Sequence, residues 1–326
     1  MCHGRLLTLS VKILQSLLKF LGWPFCSVQK AHNIITSSVP PIIKNNSGSE
    51  LNSHLQSCEL VNGGLRAKNI CKRSLPGKPL ISIITVVFNA AETLQDTIIS
   101  ILKQSYANIE YIVIDGGSSD ATVDILRQYD QAIDYWVSEK DRGVYDAMNK
   151  GIAACTGDYV GMLNSDDMFS DEHVVRDIVD RFCQAKVDAV FSYLNIVDKN
   201  DIKKIRRKYR VSTLSPALLR MGVMPAHPTF YCKRSCYEQA VIYKTDYKIA
   251  ADFEMLARLL IGQKIVWSCL DRVTVIMRSG GLSDSGLMAR VKLNREIVRA
   301  CKENGLYTHW LFLALKIPIR LVELIR

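Results

Sequence analysis

The sequence predicts an α/β fold: a doubly wound, mostly parallel sheet followed by a looser second half. Three observations carry the prediction. Between residues 80 and 167 strand-like runs alternate with helical stretches, the runs are largely apolar and β-branched as in strands buried on both faces, and each run ends in polar or acidic residues. Alternation at this spacing joins parallel strands through right-handed crossovers. Ligands of such sheets bind beyond the carboxyl ends of the strands, so four polar strand ends in succession mark a site.

LISIITVVF (80–88) is the first strand. Asn89 stands three residues before Glu92, a capping-box spacing for a helix that buries Leu94, Ile98, Ile101, Leu102 and Tyr106. IEYIVIDGG (109–117) repeats the scheme, with Ser119 and Asp120 capping a helix that carries Val123, Leu126 and Tyr129. IDYWVSE (133–139) leads through Asp141-Arg142-Gly143 into a helix with Tyr145, Met148 and Ile152, closed by Gly157. DYVGMLNSDD (158–167) is the fourth strand. Beyond it the pattern predicts a helix over 173–184, a strand over 189–194 and an exposed basic edge or loop over 203–210. A short strand over 227–231, a helix over 250–261 that opens with Asp252, and paired strands over 264–270 and 273–277 follow. No repeat of fixed period is present.

With 326 residues, 48% of them hydrophobic and 23% charged, the chain has room for one substantial core plus appendages. The net charge of +10 is unevenly placed. Residues 1–78 hold 10 Lys/Arg against 2 Asp/Glu, residues 290–326 hold 8 against 3, and the middle is near neutral at 24 against 27. A nucleic-acid enzyme gathers its basic excess around the cleft, so nucleic acid is not expected as a partner. Basic ends around a neutral centre suit an anionic membrane surface. The ten cysteines form no C-x-x-C pair, which argues against zinc and for buried thiols in a reducing compartment.

No stretch offers the ~20 uninterrupted apolar residues of a membrane span. Residues 6–25 come nearest, but Lys12 and Lys19 interrupt them. Arg5, Lys12 and Lys19 share one helical face and Leu7, Leu14, Leu18 and Leu21 another, the pattern of an interfacial helix rather than of a cleaved signal. The tail repeats it, with Lys316, Arg320 and Glu323 on one side and Trp310, Phe312 and Leu313 supplying apolar character. The expected organisation is therefore a basic amphipathic segment (1–30), a flexible Ser/Asn/Gly/Lys-rich linker (31–78), the α/β domain (79–285) and a basic helical extension (286–326). The expected location is cytoplasmic, peripheral on the inner face of a membrane.

Asp166 and Asp167 follow directly on a buried strand. Adjacent carboxylates repel unless a cation or donors offset them, and a hard divalent ion completed by phosphate and water does so. An ordinary acidic helix start ahead of 173–184 is the other reading. Asp115, followed by two glycines, can accept hydrogen bonds from a base or ribose. DGGSSD is not G-x-G-x-x-G, and no G-x-x-x-x-G-K-[ST] occurs, so dinucleotide and P-loop readings lose their support.

PLISIITVVFNAAETLQDTIISILKQSYANIEYIVIDGGSSDATVDIL, followed by SEKDRGVYDAMNKGIAACTGDYVGMLNSDD, resembles the family 2 glycosyltransferases of the GT-A fold. The DGGSSD, YDAMNKG and LNSDD motifs are most similar to the branch associated with bacterial O-antigen and capsule assembly. The resemblance spans roughly residues 79–285 and implies a metal-dependent, inverting sugar transfer from a nucleotide-sugar donor to a lipid-linked saccharide or other glycan. It implies that Thr85, Phe88 and Asn89 line the nucleotide pocket and that Asp115 contacts the base. It places Lys140, Asp141 and Arg142 near nucleotide or donor sugar, and has Asp146 and Asn149 shape the donor site. Asp166 and Asp167 match the acidic motif for Mn²⁺ or Mg²⁺, with Asp167 as the expected direct ligand. Asp252, in AADFEMLAR, matches the catalytic base, which takes the acceptor proton as the hydroxyl attacks. His227 is a further candidate for donor phosphate or acceptor, and a packed structural histidine is its alternative.

Two departures stand out. The family often has Asp where this chain has Asn164, and many members carry Arg where it has Met148, so a phosphate contact falls to Lys150 or Arg142. Two other functions share the sheet type. A catalytically silent membrane or complex scaffold has no need of Asp115, Asp166, Asp167 and Asp252 together. A sugar-nucleotide nucleotidyltransferase would carry a Gly-rich basic loop where this chain has FNAAET.

Overall fold

The structure, a computed structural model, describes residues 61–240, 243–280 and 287–315. The 1–30 segment, most of the expected linker and the tail beyond Leu315 lie outside the described residues. The fold is mixed α/β around one largely parallel central sheet.

Its first half is built from β1 (Val61–Gly63), β2 (Ile81–Val87), α1 (Leu94–Leu102), β3 (Ile109–Asp115), α2 (Thr122–Gln128), β4 (Tyr135–Ser138), α3 (Val144–Ala154) and β5 (Tyr159–Met162). Strands β4, β3, β2 and β5 lie side by side in that order, all parallel. The chain therefore moves outward from β2 to β4 and then returns to the other side of β2. Helices α1 and α2 cover one face through Leu94, Ile98, Ile101 and Leu126, and α3 covers the other through Ala147 and Met148. The reversal opens a crevice between the carboxyl ends of β2 and β5, the switch point at which such sheets bind ligands. Register sharpens it: β2 runs level with β3 to Val87, but β5 stops pairing opposite Ile84, so the residues after Met162 leave the sheet there.

The second half adds β6 (Asp167–Phe169), α4 (Val174–Ala185), β7 (Ala189–Val197), β8 (Ile205–Tyr209), α5 (Pro216–Arg220), β9 (Tyr231–Lys233), α6 (Arg234–Ala240), α7 (Ala251–Arg258), β10 (Trp267–Arg278), α8 (Leu287–Glu303) and α9 (Trp310–Ala314). Here the sheet turns mixed, with β9 antiparallel to both β5 and β7, and β6 antiparallel to β10. Gly161 is required where β5 meets β9, because a Cβ there would stand 1.9 Å from a Tyr231 ring carbon.

Several expectations change. Asn89 does not cap α1: it takes a left-handed φ of 48°, and the helix begins five residues later. The strands expected over 264–270 and 273–277 are one strand, β10, that passes through Asp271 and Arg272 with register shifts against β7. Arg272 reaches Asp171 and Asp177, so these charges sit at the sheet margin rather than in a turn. His227–Thr229 form a 3-10 turn and not a strand, as the fixed φ of Pro228 favours, and pairing begins at Tyr231. The basic run is an edge strand, β8, which among the described residues pairs with β7 alone. Cys71 and Cys183 are exposed, whereas Cys155, Cys232, Cys236 and Cys301 are buried thiols.

The linker reading fails over its last part. β1 pairs antiparallel with β4, and a 3-10 turn (Leu65–Lys68) follows. Arg66 forms an ion pair with Glu110 and donates to the Ala154 carbonyl at 2.6 Å. Glu110, 1% exposed near the start of β3, also accepts from the Ser82 hydroxyl at 2.6 Å and the Thr156 N–H at 2.8 Å. These donors hold its carboxyl below the usual range against the opposing effect of burial. Nor does 286 open a separate extension, since Ile297, Ala300, Cys301 and Leu313 belong to the same buried cluster as Phe253 and Leu256.

Candidate active site

The carboxyl ends of β2, β3 and β4 align, with Val87 beside Asp115 and Asp115 beside Ser138. Asp115 is fully buried, and its carboxylate accepts from the Ser118 N–H at 3.0 Å, the Ser118 hydroxyl and the Ser138 hydroxyl at 2.6 Å. It thus organises the glycine turn, where Gly117 takes a φ of +83°, rather than facing an open pocket. Thr85 is likewise enclosed, accepting from the Tyr111 hydroxyl at 3.3 Å. Phe88 instead leaves the sheet 63% exposed at the switch point. Asn89 beside it is exposed, with its Oδ1 accepting from the Ser119 N–H at 2.8 Å.

Lys140 and Arg142 are exposed on the loop after β4. Asp141 accepts from the Gly143 N–H at 2.8 Å and occupies the space a Cβ on Gly116 would need, which fixes this loop against the DGGSSD turn. Asp146 pairs with Arg142 at 2.9 Å, and Lys150 pairs with Glu139 at 2.7 Å. Asn149 is buried and holds the backbone of Tyr243, donating to its carbonyl at 2.9 Å and accepting from its N–H at 2.7 Å. It shapes the site by fixing Tyr243, not by direct exposure.

The acidic loop leaves β5 at the switch point. Asp166 is half-buried, and burial lifts its carboxyl above the usual range, with Arg278 opposing the rise. Asp167 is fully enclosed: its Oδ2 accepts from Asn164 at 3.1 Å, while Oδ1 is buried without a hydrogen-bond partner. Burial, and then the Asp166 charge, push its carboxyl far up. Two adjacent, elevated carboxyls with an orphaned oxygen fit a cation as their offset. Among the described residues no group of three or more His, Cys, Asp and Glu could hold an ion alone, so phosphate and water would complete its shell. Of the two acids, Asp166 is the more accessible carboxylate and Asp167 is the enclosed one.

Asp252 lies in the first turn of α7, half-buried, with its Oδ1 accepting the Phe253 N–H at 2.8 Å. Burial raises its carboxyl to about 6, with Glu296 adding to the rise. Its charge acts on the hydroxyls of Tyr145 and Tyr243, both already pushed up by burial. The two tyrosine rings stack at 5.8 Å. His227 shares a 2.7 Å hydrogen bond with the Tyr243 hydroxyl and, with its pKa lowered to about 4 by burial, is neutral. The same hydroxyl touches Met162 Sδ at 3.7 Å, tying this group to the end of β5.

Three contributors were not singled out from sequence. Tyr145 reads there only as one of the packed residues of its helix, and Tyr243 carries no motif of its own. Arg278 bridges the acidic loop to α1, donating to the Asp166 carbonyl at 3.0 Å and to Asp96 at 2.5 Å. An arginine closing an apolar strand is the one signal the sequence carries for it.

Comparison with known proteins bears on this arrangement. The family model described as Glycosyl transferase family 2 matches residues 82–245, half of the chain. A Mycobacterium tuberculosis protein named as an uncharacterized glycosyltransferase, Rv1514c, is 34% identical over 195 residues, covering 59% of this chain and 73% of the relative. The putative teichuronic acid biosynthesis glycosyltransferase TuaG of Bacillus subtilis is 38% identical over 104 residues, 31% of this chain and 41% of its own. Among solved structures, S. aureus TarS 1-349 in complex with UDP-GlcNAc superposes with a TM-score of 0.54 at 16% identity, covering 68% of this chain and 66% of that one. The Pyrobaculum calidifontis mannosyltransferase PcManGT in complex with GDP-Man and Mn²⁺ gives 0.52 at 18% identity, covering 80% and 75%. At these identities the structural likeness establishes the GT-A type of fold.

Proposed function

Since the chain belongs to glycosyl transferase family 2, we propose that it transfers a sugar, with inversion, from a nucleotide-sugar donor to a lipid-linked saccharide or glycan in surface-polysaccharide assembly. The observation that carries this reading is the joint placement of the acidic loop at the β2–β5 switch point and a half-buried carboxyl at about 6 on α7. The UDP-GlcNAc and GDP-Man bound to the structural neighbours, and the teichuronic acid named for TuaG, support the donor and product classes.

Departure of the nucleoside diphosphate adds negative charge at the donor phosphates. A divalent ion held by Asp166, with Asp167 behind it, would supply electrostatic stabilisation there. Exposed Lys140 and Arg142 add positive charge from the loop after β4. Phe88 and Asn89 form the rim that receives the nucleotide, and neutral His227 offers hydrogen bonding without charge. Asp252 accepts the proton of the acceptor hydroxyl as that hydroxyl attacks the anomeric carbon. At about 6, its carboxyl is ionised at neutral pH yet basic enough to take a proton.

A panel of nucleotide sugars screened by thermal unfolding with Mn²⁺ tests the donor class. A productive donor at a hundredfold excess over its dissociation constant should add about 2.7 kcal/mol, and EDTA should withdraw the metal's share. Stabilisation by no nucleotide sugar would count against the reading.

Membrane attachment is part of the same proposal. Among the described residues no helix is long and apolar enough to cross a membrane. Tyr307, Trp310, Leu311 and Leu315 are, however, exposed where the chain approaches its basic tail. The full chain should bind anionic vesicles, more weakly as salt rises, since each basic residue near such a surface contributes ~1 kcal/mol within a Debye length. Deleting residues 1–30 and 316–326 should release it. Unchanged vesicle binding by the folded double truncation would remove the anchor role.

A further inference from the structure

Glu296 lies on α8, beyond the residues that match the family, and enters the site described above only through its charge, which adds to the rise of the Asp252 carboxyl. Its carboxylate accepts three consecutive backbone N–H groups, from Lys248 at 3.0 Å and from Ile249 and Ala250 at 2.9 Å. Successive amides converging on one oxyanion form a donor cradle, and bonds to a charged acceptor are the stronger kind. These amides sit at the entrance to α7, whose first turn carries Asp252.

A helix start ordinarily meets its free N–H groups with a side chain at the cap itself. Here the cap is Ala250, which makes no side-chain cap bond, and the acceptor comes from 46 residues away. The rest of α8 is built to hold that acceptor in place. Below it, Ile297, Ala300 and Cys301 are buried in the cluster that contains Phe253 and Leu256. Along its polar side, Arg299 pairs with Asp246, and Glu303 accepts from Lys244 at 2.8 Å and from the Tyr247 hydroxyl at 2.9 Å. The segment from Lys244 to Ala250 is thus fastened at one helix, between Tyr243 at one end and Asp252 at the other.

We propose that Glu296 is a positioning residue for sugar transfer: it fixes the entrance to α7 and thereby the direction in which Asp252 presents its carboxylate. The proposal rests on the reading of Asp252 as the base. It predicts that a side chain remote from donor and metal controls turnover without controlling donor affinity.

The test joins one measurement that needs no activity with one that does. In hydrogen exchange on the full chain, Glu296→Ala should speed exchange at the Lys248, Ile249 and Ala250 amides. In kinetics it should lower kcat on the order of 10–100-fold, as misplacing a catalytic group does, with donor dissociation constant unchanged. Glu296→Gln keeps one acceptor oxygen and should recover part of both effects; it also serves if the alanine variant does not fold. Added to Asp252→Asn, the Glu296→Ala change should cost little more, because the two act through one group. Unchanged exchange overturns the clamp. Faster exchange with unchanged kcat, lost donor affinity at constant kcat, or full additivity in the double variant overturns the positioning role. An active Asp252→Asn variant overturns the base reading itself, a result separable from the clamp because exchange still reports on the three amides.

Discussion

Asp252→Asn is expected to slow sugar transfer by about 10²–10⁴-fold, the usual contribution of a general base, while leaving donor affinity where it was. The separation follows from placement. Asp252 stands on α7 among Tyr145, Tyr243 and Glu296, whereas the nucleotide rim belongs to the ends of β2 and the loop after β4. Loss of donor binding in calorimetry with little change in turnover would move Asp252 into the donor site. The same carboxyl should appear in the pH profile, with kcat falling as pH drops through about 6 because the protonated form cannot accept a proton. Its stability effect has the opposite sense. A carboxyl raised above its unfolded value disfavours the folded state when ionised, so its cost is present above about 6 and fades between there and about 4. Asp252→Asn should therefore be more stable than the native chain at pH 7.5, by about 1–2 kcal/mol once partial solvent exposure is allowed for. A variant both slower and more stable is the signature of a functional carboxyl.

Asp166→Asn should remove metal stimulation. If the ion supplies several kcal/mol of charge stabilisation, the rate falls about 10²-fold or more, and titration with Mn²⁺ in the presence of a nucleoside diphosphate should show the affinity lost. Asp167→Asn should behave differently. Its side chain is enclosed and keeps Asn164 as a neighbour, so the variant should fold, hold a weakened ion and lose less activity. Equal metal affinity in Asp166→Asn and the native chain, or native turnover indifferent to EDTA, would remove the ion from the site.

What the sequence conveyed well were features written in consecutive residues. The largely apolar runs of β2 and β3 could be little else than buried strands, and the polar residues at their ends pointed to the sheet edge where the candidate site lies. The adjacent acids at 166–167 were legible because two neighbouring carboxylates after a strand demand compensation. Their unequal exposure was not, since it depends on β6 turning Asp167 inward opposite Met277 of β10. Thr85 and Asp115 lie on β2 and β3 as expected, but their enclosure was not legible, because Tyr111, Ser118 and Ser138 close over them. Glu296 and Arg278 were silent. Each acts on backbone groups more than forty positions away, and charged residues on an amphipathic helix or at a strand end otherwise look like solvated surface.

The pairing of β1 with β4 has a practical meaning for where the polypeptide can be cut. A sheet margin with free N–H and C=O groups is a template for joining another molecule, and natural sheets cover or blunt it. In this protein the cover for β4 comes from residues that precede the apparent start of the α/β pattern. A fragment begun at Leu80, where composition alone would place the boundary, bares that margin and strips Glu110 of its arginine at once. Its failure would show as self-association and insolubility, easily mistaken for a defect of the catalytic half. Beginning at or before Val61 retains the cover.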